Sequence, residues 1–267
     1  MRFLSSRRRH PVAKPLLLVF ALFVMGGLYA ILAPSDVSSA DTTKSQQVEA
    51  GRKLFAVGCS SCHGLNGQGS SQGPTLVGVG AAAVDFQVST GRMPLAYPQQ
   101  QAPQTKVSYN DDEIAALAAY VQTLGPGPEI PSASQYQPSG LTDEEVARGG
   151  ELFRTNCSAC HNAEGAGGAL PNGKYAPSLV GVSDKHIYEA MLTGPQQMPV
   201  FSDQVVTPKD KQEIIAYLQT LHERPNNGGL ALGGIGPVSE GLWTWIVGLG
   251  VLVAFAVWIA AKGAKAK

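Results

Sequence analysis

All four cysteines of the chain fall in two copies of one pentapeptide, Cys59-Ser60-Ser61-Cys62-His63 and Cys157-Ser158-Ala159-Cys160-His161. Two thiols three residues apart, followed at once by an imidazole, have the spacing for covalent attachment of a c-type haem. The thiols add across the porphyrin's vinyl groups and the histidine becomes an axial ligand of the iron. A zinc ribbon also pairs Cys-x-x-Cys, but a tetrahedral site has no need of a histidine after each pair. A thioredoxin-type redox pair sits in a strand–helix–strand setting, for which the chain has no pattern. A disulfide framework would need thiols outside these two motifs. Two covalently bound haem c groups are therefore expected, on Cys59, Cys62, Cys157 and Cys160, with His63 and His161 on the irons. Two haems on one polypeptide imply an electron relay.

The repeat extends beyond the cysteines. Gly51-x-x-x-Phe55-x-x-x-Cys59 recurs as Gly149-x-x-x-Phe153-x-x-x-Cys157 at a register of 98 residues, and Ala119-Tyr120-Val121-Gln122-Thr123-Leu124 recurs as Ala216-Tyr217-Leu218-Gln219-Thr220-Leu221 at 97. Agreement at both ends of a unit reads as duplication. Helical spacing of apolar residues predicts helices over Gln46–Val57 and Asp143–Thr155, the second opened by a capping-box pattern at Thr142-Asp143-Glu144-Glu145. These helices should deliver the haem-binding cysteines at their ends. Acidic residues Asp111-Asp112-Glu113 open a closing helix over Ile114–Leu124, and Pro208 opens another that runs to His222. The Gly- and Pro-rich stretch Gly64–Gly80 reads as loop. The fold class is all-α: two tandem small units at 46–125 and 143–224, a linker at 126–142 and a tether at 225–241. Units this small bury little core of their own, so the haem is expected to supply part of it.

Two apolar stretches flank the units. Leu242–Ala261 provides 20 apolar or small residues, enough to cross the roughly 30 Å hydrocarbon layer, with Trp243, Trp245 and Trp258 near its ends and lysines beyond it at 262–267. Leu16–Ala33 provides 18, longer than a signal-peptide core of about 7 to 15, and reads as a retained N-terminal membrane helix. The small residues Val37-Ser38-Ser39-Ala40 keep open cleavage of residues 1–40 as a signal. Either case exports the haem units, and the positive-inside tendency places the C-terminus, and a retained N-terminus, in the cytoplasm, giving a multi-pass cell-membrane protein. The formal net charge is zero, but 8 of 20 basic residues lie outside the two apolar runs, leaving 12 against 20 acidic residues, or −8, between them. That acidity excludes nucleic acid as a partner.

Methionine supplies the expected sixth ligands. Met93 and Met198 each precede proline on an otherwise polar loop, in Thr90-Gly91-Arg92-Met93-Pro94 and Gly194-Pro195-Gln196-Gln197-Met198-Pro199. A thioether opposite His63 or His161 raises the haem potential and closes the iron to outside molecules. Met191 shares a helix face with Ile187, Tyr188 and Leu192 and reads as core. Tyr120 and Tyr217 are expected to pack on the first helix or a haem edge, Arg92 to face a haem propionate or solvent, and His186 and His222 to take surface or helix-end positions.

The order of apolar segment, haem unit, haem unit and membrane helix resembles the dihaem cytochrome c subunit of the actinobacterial menaquinol-cytochrome c reductase, the cytochrome bcc complex. The resemblance is carried by Phe86-Gln87-Val88-Ser89-Thr90-Gly91-Arg92-Met93-Pro94, Gly173-Lys174-Tyr175-Ala176-Pro177, Met191-Leu192-Thr193-Gly194-Pro195 and Leu232-Gly233-Gly234-Ile235-Gly236-Pro237. It implies tandem cytochrome c domains, with Cys59, Cys62, His63 and Met93 holding the first haem and Cys157, Cys160, His161 and Met198 the second. It also implies partners: the cytochrome b subunit, the Rieske iron–sulfur subunit as donor, and a terminal cytochrome c oxidase as acceptor. The subunit would belong to a proton-translocating quinol-cytochrome c reductase without substrate chemistry of its own. A membrane-anchored dihaem carrier for another dehydrogenase or reductase, and a dihaem peroxidase, are the alternatives.

Overall fold

The structure, a computed structural model, describes residues 12–32, 35–223, 232–234 and 236–264. The basic lead at 1–11, the expected helix end at Ala33, residues 225–231 and 235 of the tether and the last lysines lie outside these residues. The chain divides into two compact units, 1–47 and 48–267. In the first, helix α1 spans Ala13–Leu32. In the second lie the haem motifs and their supporting helices.

Helix α2 runs Ser35–Gly58 and so begins upstream of the expected Gln46. Neither proline nor glycine interrupts 35–50, so the backbone continues as helix through a polar stretch in which apolar periodicity gave no signal. The short turn α3 spans Ser60–His63, α4 Ala81–Ser89 and α5 Asp111–Gln122. The capping box of α5 is one residue earlier than its acidic run suggests: the Glu113 N–H donates to the Asn110 side chain and the Asn110 N–H to the Glu113 carboxylate. Beyond α6, Ala133–Tyr136, the pattern repeats with α7 Asp143–Asn156, α8 Ser158–His161, α9 Asp184–Thr193 and α10 Pro208–Glu223. The expected box at Thr142 and Glu145 opens α7.

The repeated glycines mark where helices cross. A methyl added at Gly51 would lie 1.9 Å from the Ala116 carbonyl oxygen of α5, and one at Gly149 would lie 2.0 Å from that of Glu213 in α10. One turn further on, Phe55 meets Tyr120 with ring centroids 5.2 Å apart, and Phe153 meets Tyr217 at 5.8 Å. Each buried phenylalanine contributes about 1.5–3 kcal/mol. Both tyrosines thus pack on the first helices of their copies, as expected. Around each pair gathers an apolar cluster, one on Phe55, Val88, Ile114 and Leu117, the other on Phe153, Tyr188, Ile215 and Leu218. The repeated glutamines position the middle helices: Gln122 Oε1 accepts from the Ala81 N–H at the start of α4, and Gln219 Nε2 donates to the Asp184 carboxylate at the start of α9.

Two further elements differ from expectation. An antiparallel pair, β1 Gly168–Ala169 and β2 Tyr175–Ala176, stands after the second haem motif, where only loop was expected. The segment 126–142 is not a free spacer. The Pro128 carbonyl accepts from the Ala82 N–H, Gln122 Nε2 donates to the Gly127 carbonyl, and Gln212 Nε2 donates to the Ser134 carbonyl within α6.

Helix α11 spans Pro237–Ala264. Its stretch Val238–Gly263 is 26 apolar-rich residues without a buried core face, about 39 Å of helix against a hydrocarbon layer of roughly 30 Å. Among the described residues it is the one helix long and apolar enough to cross a membrane, with Ala13–Tyr29 a shorter apolar helix.

The crossing geometry sets an expected result. Gly149→Ala should lower stability by about 1–3 kcal/mol, because backbone must move to admit the methyl. Gly241→Ala, where a methyl meets nothing within 4 Å, should leave the melting temperature unchanged or slightly higher. Thermal denaturation of the detergent-solubilised chain, followed by circular dichroism, checks both.

Candidate haem sites

The second motif has the fuller geometry. Helix α7 ends with the Cys157 N–H on the Phe153 carbonyl at 2.8 Å, and the chain then tightens, with the N–H groups of Cys160 and His161 both on the Cys157 carbonyl at 3.1 and 2.9 Å. One turn thus presents two thiols and an imidazole together. The ring of His161 places Nδ1 2.9 Å from the Pro177 carbonyl oxygen. A carbonyl only accepts, so Nδ1 carries the proton and Nε2 keeps its lone pair for a metal. Burial lowers the pKa of His161, opposed in part by the Pro177 bond, and the net effect favours the neutral, ligating imidazole.

The first motif is built the same way. The Cys59 N–H bonds the Phe55 carbonyl at 2.9 Å, and those of Cys62 and His63 bond the Cys59 carbonyl at 3.2 and 3.0 Å. His63 Nδ1 lies 2.8 Å from the Pro74 carbonyl oxygen. Past each histidine the loops again agree, with the Gly69 N–H on the His63 carbonyl and the Gly167 N–H on that of His161. The register then widens from 98 residues at the histidines to 103 at Pro74 and Pro177, because the second copy inserts the β1–β2 hairpin.

Cys157, Cys160, His161 and Met198 line one cavity of about 870 Å3, within the roughly 300–1,000 Å3 of cofactor pockets and walled mainly by apolar side chains. Met198 packs on the cluster of Phe153 and Leu218, as does Cys157. Met93 and Cys59 pack on the matching cluster of Phe55 and Leu117. The Met198 loop leaves α9 through Gly194 in the left-handed region, and the Met198 N–H bonds the Pro195 carbonyl at 3.0 Å. The N–H groups of Arg92 and Met93 share the Gln87 carbonyl, both at 2.9 Å. Met191 is 3% exposed within the core cluster. In the second copy, donor set and space together fit a haem, which Cys157, Cys160, His161 and Met198 would hold. Burial, then the neighbouring Cys62 or Cys160, pushes the Cys59 thiol up to about 11 and Cys157 up to about 12.

Sequence reasoning missed what joins the two copies. His186, expected at a surface or helix-end position, does lie in the first turn of α9, but it is half-buried there, with Nε2 2.9 Å from Ser89 Oγ of α4 and its ring edge-on to Phe86 at 6.2 Å. Beside it Lys185 Nζ lies 2.5 Å from Asp85 Oδ2 and 3.9 Å from Glu189 Oε1. The reason this contact was not foreseen is physical: it lies between copies, so the repeat gives His186 no counterpart. His222 does lie in the last turn of α10. Arg92 stacks over Phe86, 4.9 Å from ring centroid to guanidinium carbon, and lines the second cavity.

Residues 48–125 match the family described as "Cytochrome c", and residues 144–218 match "Cytochrome C oxidase, cbb3-type, subunit III". Over their lengths, curated relatives agree more fully. The "Cytochrome bc1 complex cytochrome c subunit" of Mycobacterium bovis is 45% identical over 96% of this chain and 93% of its own. Proteins of the same description from Mycobacterium leprae and Corynebacterium diphtheriae are 46% and 43% identical, over 92% and 87% of this chain and 87% of theirs.

The buried acid between the copies makes a pH prediction. Burial, then the Asp85 carboxylate, pushes Glu189 up to about 9 from an ordinary 4.5, with Lys185 opposing. Between those values the folded chain holds a proton that the unfolded chain releases, so this group's stabilisation is complete at the acid end and is lost as pH rises towards 9. Denaturant unfolding of the full chain should show stability falling across that window, and Glu189→Gln should remove this part of the slope.

Proposed function

The chain belongs to the family of cytochrome bc1 complex cytochrome c subunits, and from that premise we propose that it carries electrons from the Rieske iron–sulfur subunit to a terminal cytochrome c oxidase through two covalently held haems. The observation that carries the reading is the pair of imidazoles with Nδ1 on a proline carbonyl, at His63 and His161, each one residue beyond a Cys-x-x-Cys pair. Haem c, when bound, supplies reversible one-electron chemistry at iron. The chain's residues supply the rest.

In this reading Cys59 and Cys62 hold the first group and Cys157 and Cys160 the second. His63 with Met93, and His161 with Met198, would hold the two irons. The Pro74 and Pro177 carbonyls fix each ring's tautomer and orientation, and the apolar walls keep water from the iron, so that little solvent must reorganise as charge moves. Two cytochrome c domains at 46–125 and 143–224 then form the exported part, held by tether 225–241. The apolar α1 is a retained membrane helix and α11 a second, with both termini cytoplasmic. Cytochrome b is the remaining partner, and quinol chemistry is its work. The subunit thus belongs to a proton-translocating quinol-cytochrome c reductase without breaking bonds itself.

Purification of the tagged chain from its native membrane in mild detergent tests the assignment. Cytochrome b, the Rieske subunit and oxidase subunits should accompany it, and a haem chain that leaves the membrane alone would contradict the relay. At the level of one ligand, Met198→His should lower one of two haem potentials by on the order of 0.1 V and leave the other in place, because thioether ligation favours the reduced iron. A redox titration followed at the visible haem bands reads the shift.

A further inference from the structure

The two copies differ in one long segment. Between the methionine loop and the closing helix the register falls from 105 residues at Met93 and Met198 to 97 at Tyr120 and Tyr217, so the first copy carries eight additional residues there. These residues do not stay with their own copy. Gln101 uses both ends of its side-chain amide on the backbone of Tyr175 in β2, donating from Nε2 to the carbonyl at 2.6 Å and accepting the N–H on Oε1 at 3.0 Å. The next residue, Ala102, is 5% exposed, and its N–H donates to Gln196 Oε1 at 3.3 Å. Gln196 holds a left-handed φ of +60° two residues before Met198. The segment returns to its own copy at Thr105, whose N–H and hydroxyl both bond the Gly91 carbonyl, at 3.1 and 2.6 Å.

The path of this strap is fixed at three points: the hairpin of the second copy, the Met198 loop of the second copy, and the turn that precedes Met93 in the first. Along it Gln101, Ala102 and Gln104 stand in the wall of the cavity that holds Cys160, His161 and Met198. Among the described residues the second copy sends no comparable segment back: its shorter loop turns on itself, with the Phe201 N–H on the Met191 carbonyl and the Val206 N–H on that of Ser202.

We infer that the segment Gln99–Thr105 of the first copy is the lid of the second haem crevice, with Gln101 as the positioning residue that holds the Met198 side closed. The inference rests on the relay reading for the identity of the group in the cavity. Its physical content is separate. A small anion that displaces Met198 from the iron must open a loop tied to the strap, and the strap's hydrogen bonds resist that opening. The second iron is therefore guarded by residues of the first copy.

Cyanide binding to the oxidised full-length protein tests this, with haem content measured by mass and the near-infrared methionine-to-iron band recorded for each variant. Met93→His and Met198→His assign the kinetic phases to the two irons. Gln101→Ala should speed the phase of the second iron about tenfold, the factor that follows from losing one to two net hydrogen bonds, and leave that of the first unchanged. Gln100→Ala, an exposed strap residue, should change neither. Gln196→Gly cuts the other anchor while relieving its positive φ, and should act in the same direction as Gln101→Ala even where that variant loads poorly. Equal cyanide rates in wild type, Gln101→Ala and Gln196→Gly, all with two haems, would overturn the lid and leave the relay standing. A wild-type protein without two haems or without the methionine band would instead remove the relay reading beneath it.

Discussion

The hydrogen bond from each imidazole Nδ1 to a proline carbonyl is the contact on which the rest of the design turns. It decides which nitrogen is free, and it aims that nitrogen. The bond exists only because a helix ends at the first cysteine and a tight turn follows, so that His63 and His161 leave the turn facing a loop that has come back across them. That loop is placed by glycines: a methyl at Gly73 would press to 3.2 Å from the His63 ring, and one at Gly167 would sit 2.6 Å from the Ala176 carbonyl oxygen. Behind the turn, the crossing at Gly51 or Gly149 fixes the helix that carries it. Sequence, crossing, turn and ring orientation form one chain of cause.

Duplication then produced two stations that share this frame and differ in their surroundings. The second has the hairpin and receives the strap, while the first supplies the strap and α4. The contact between α4 and α9 combines apolar packing with buried charge at Asp85, Lys185 and Glu189. A buried carboxylate next to another is costly unless a cation or a proton compensates, and both are available here. The interface is thereby specified by matched polar groups as well as by shape, which suits a relay whose stations must keep a fixed separation.

Much of this was legible in the residues. Cys-x-x-Cys-His has few other uses, the twin Gly-x-x-x-Phe-x-x-x-Cys runs announced the repeat, and the Thr142 capping box announced α7. Met191 read correctly as core because its neighbours at helical spacing were apolar. The illegible parts share a cause. Helix α4 buries Ala81, Ala82, Asp85, Phe86 and Val88, a set with a charged member and little amphipathic period. The hairpin has two-residue strands, too short for alternation to register. The strap depends on one glutamine side chain completing hydrogen bonds to a backbone 74 residues away, and no local pattern encodes such a partner. Local preferences are written in neighbouring residues, whereas contacts between copies appear only once the chain has folded.

The most direct measurement is the intact mass of the chain after denaturation, read with peroxidase staining of the same band. The account predicts a polypeptide heavier by two haems, with Cys157→Ala/Cys160→Ala lowering the excess to one and Cys59→Ala/Cys62→Ala doing the same. A mass equal to the bare polypeptide, without staining, would contradict it.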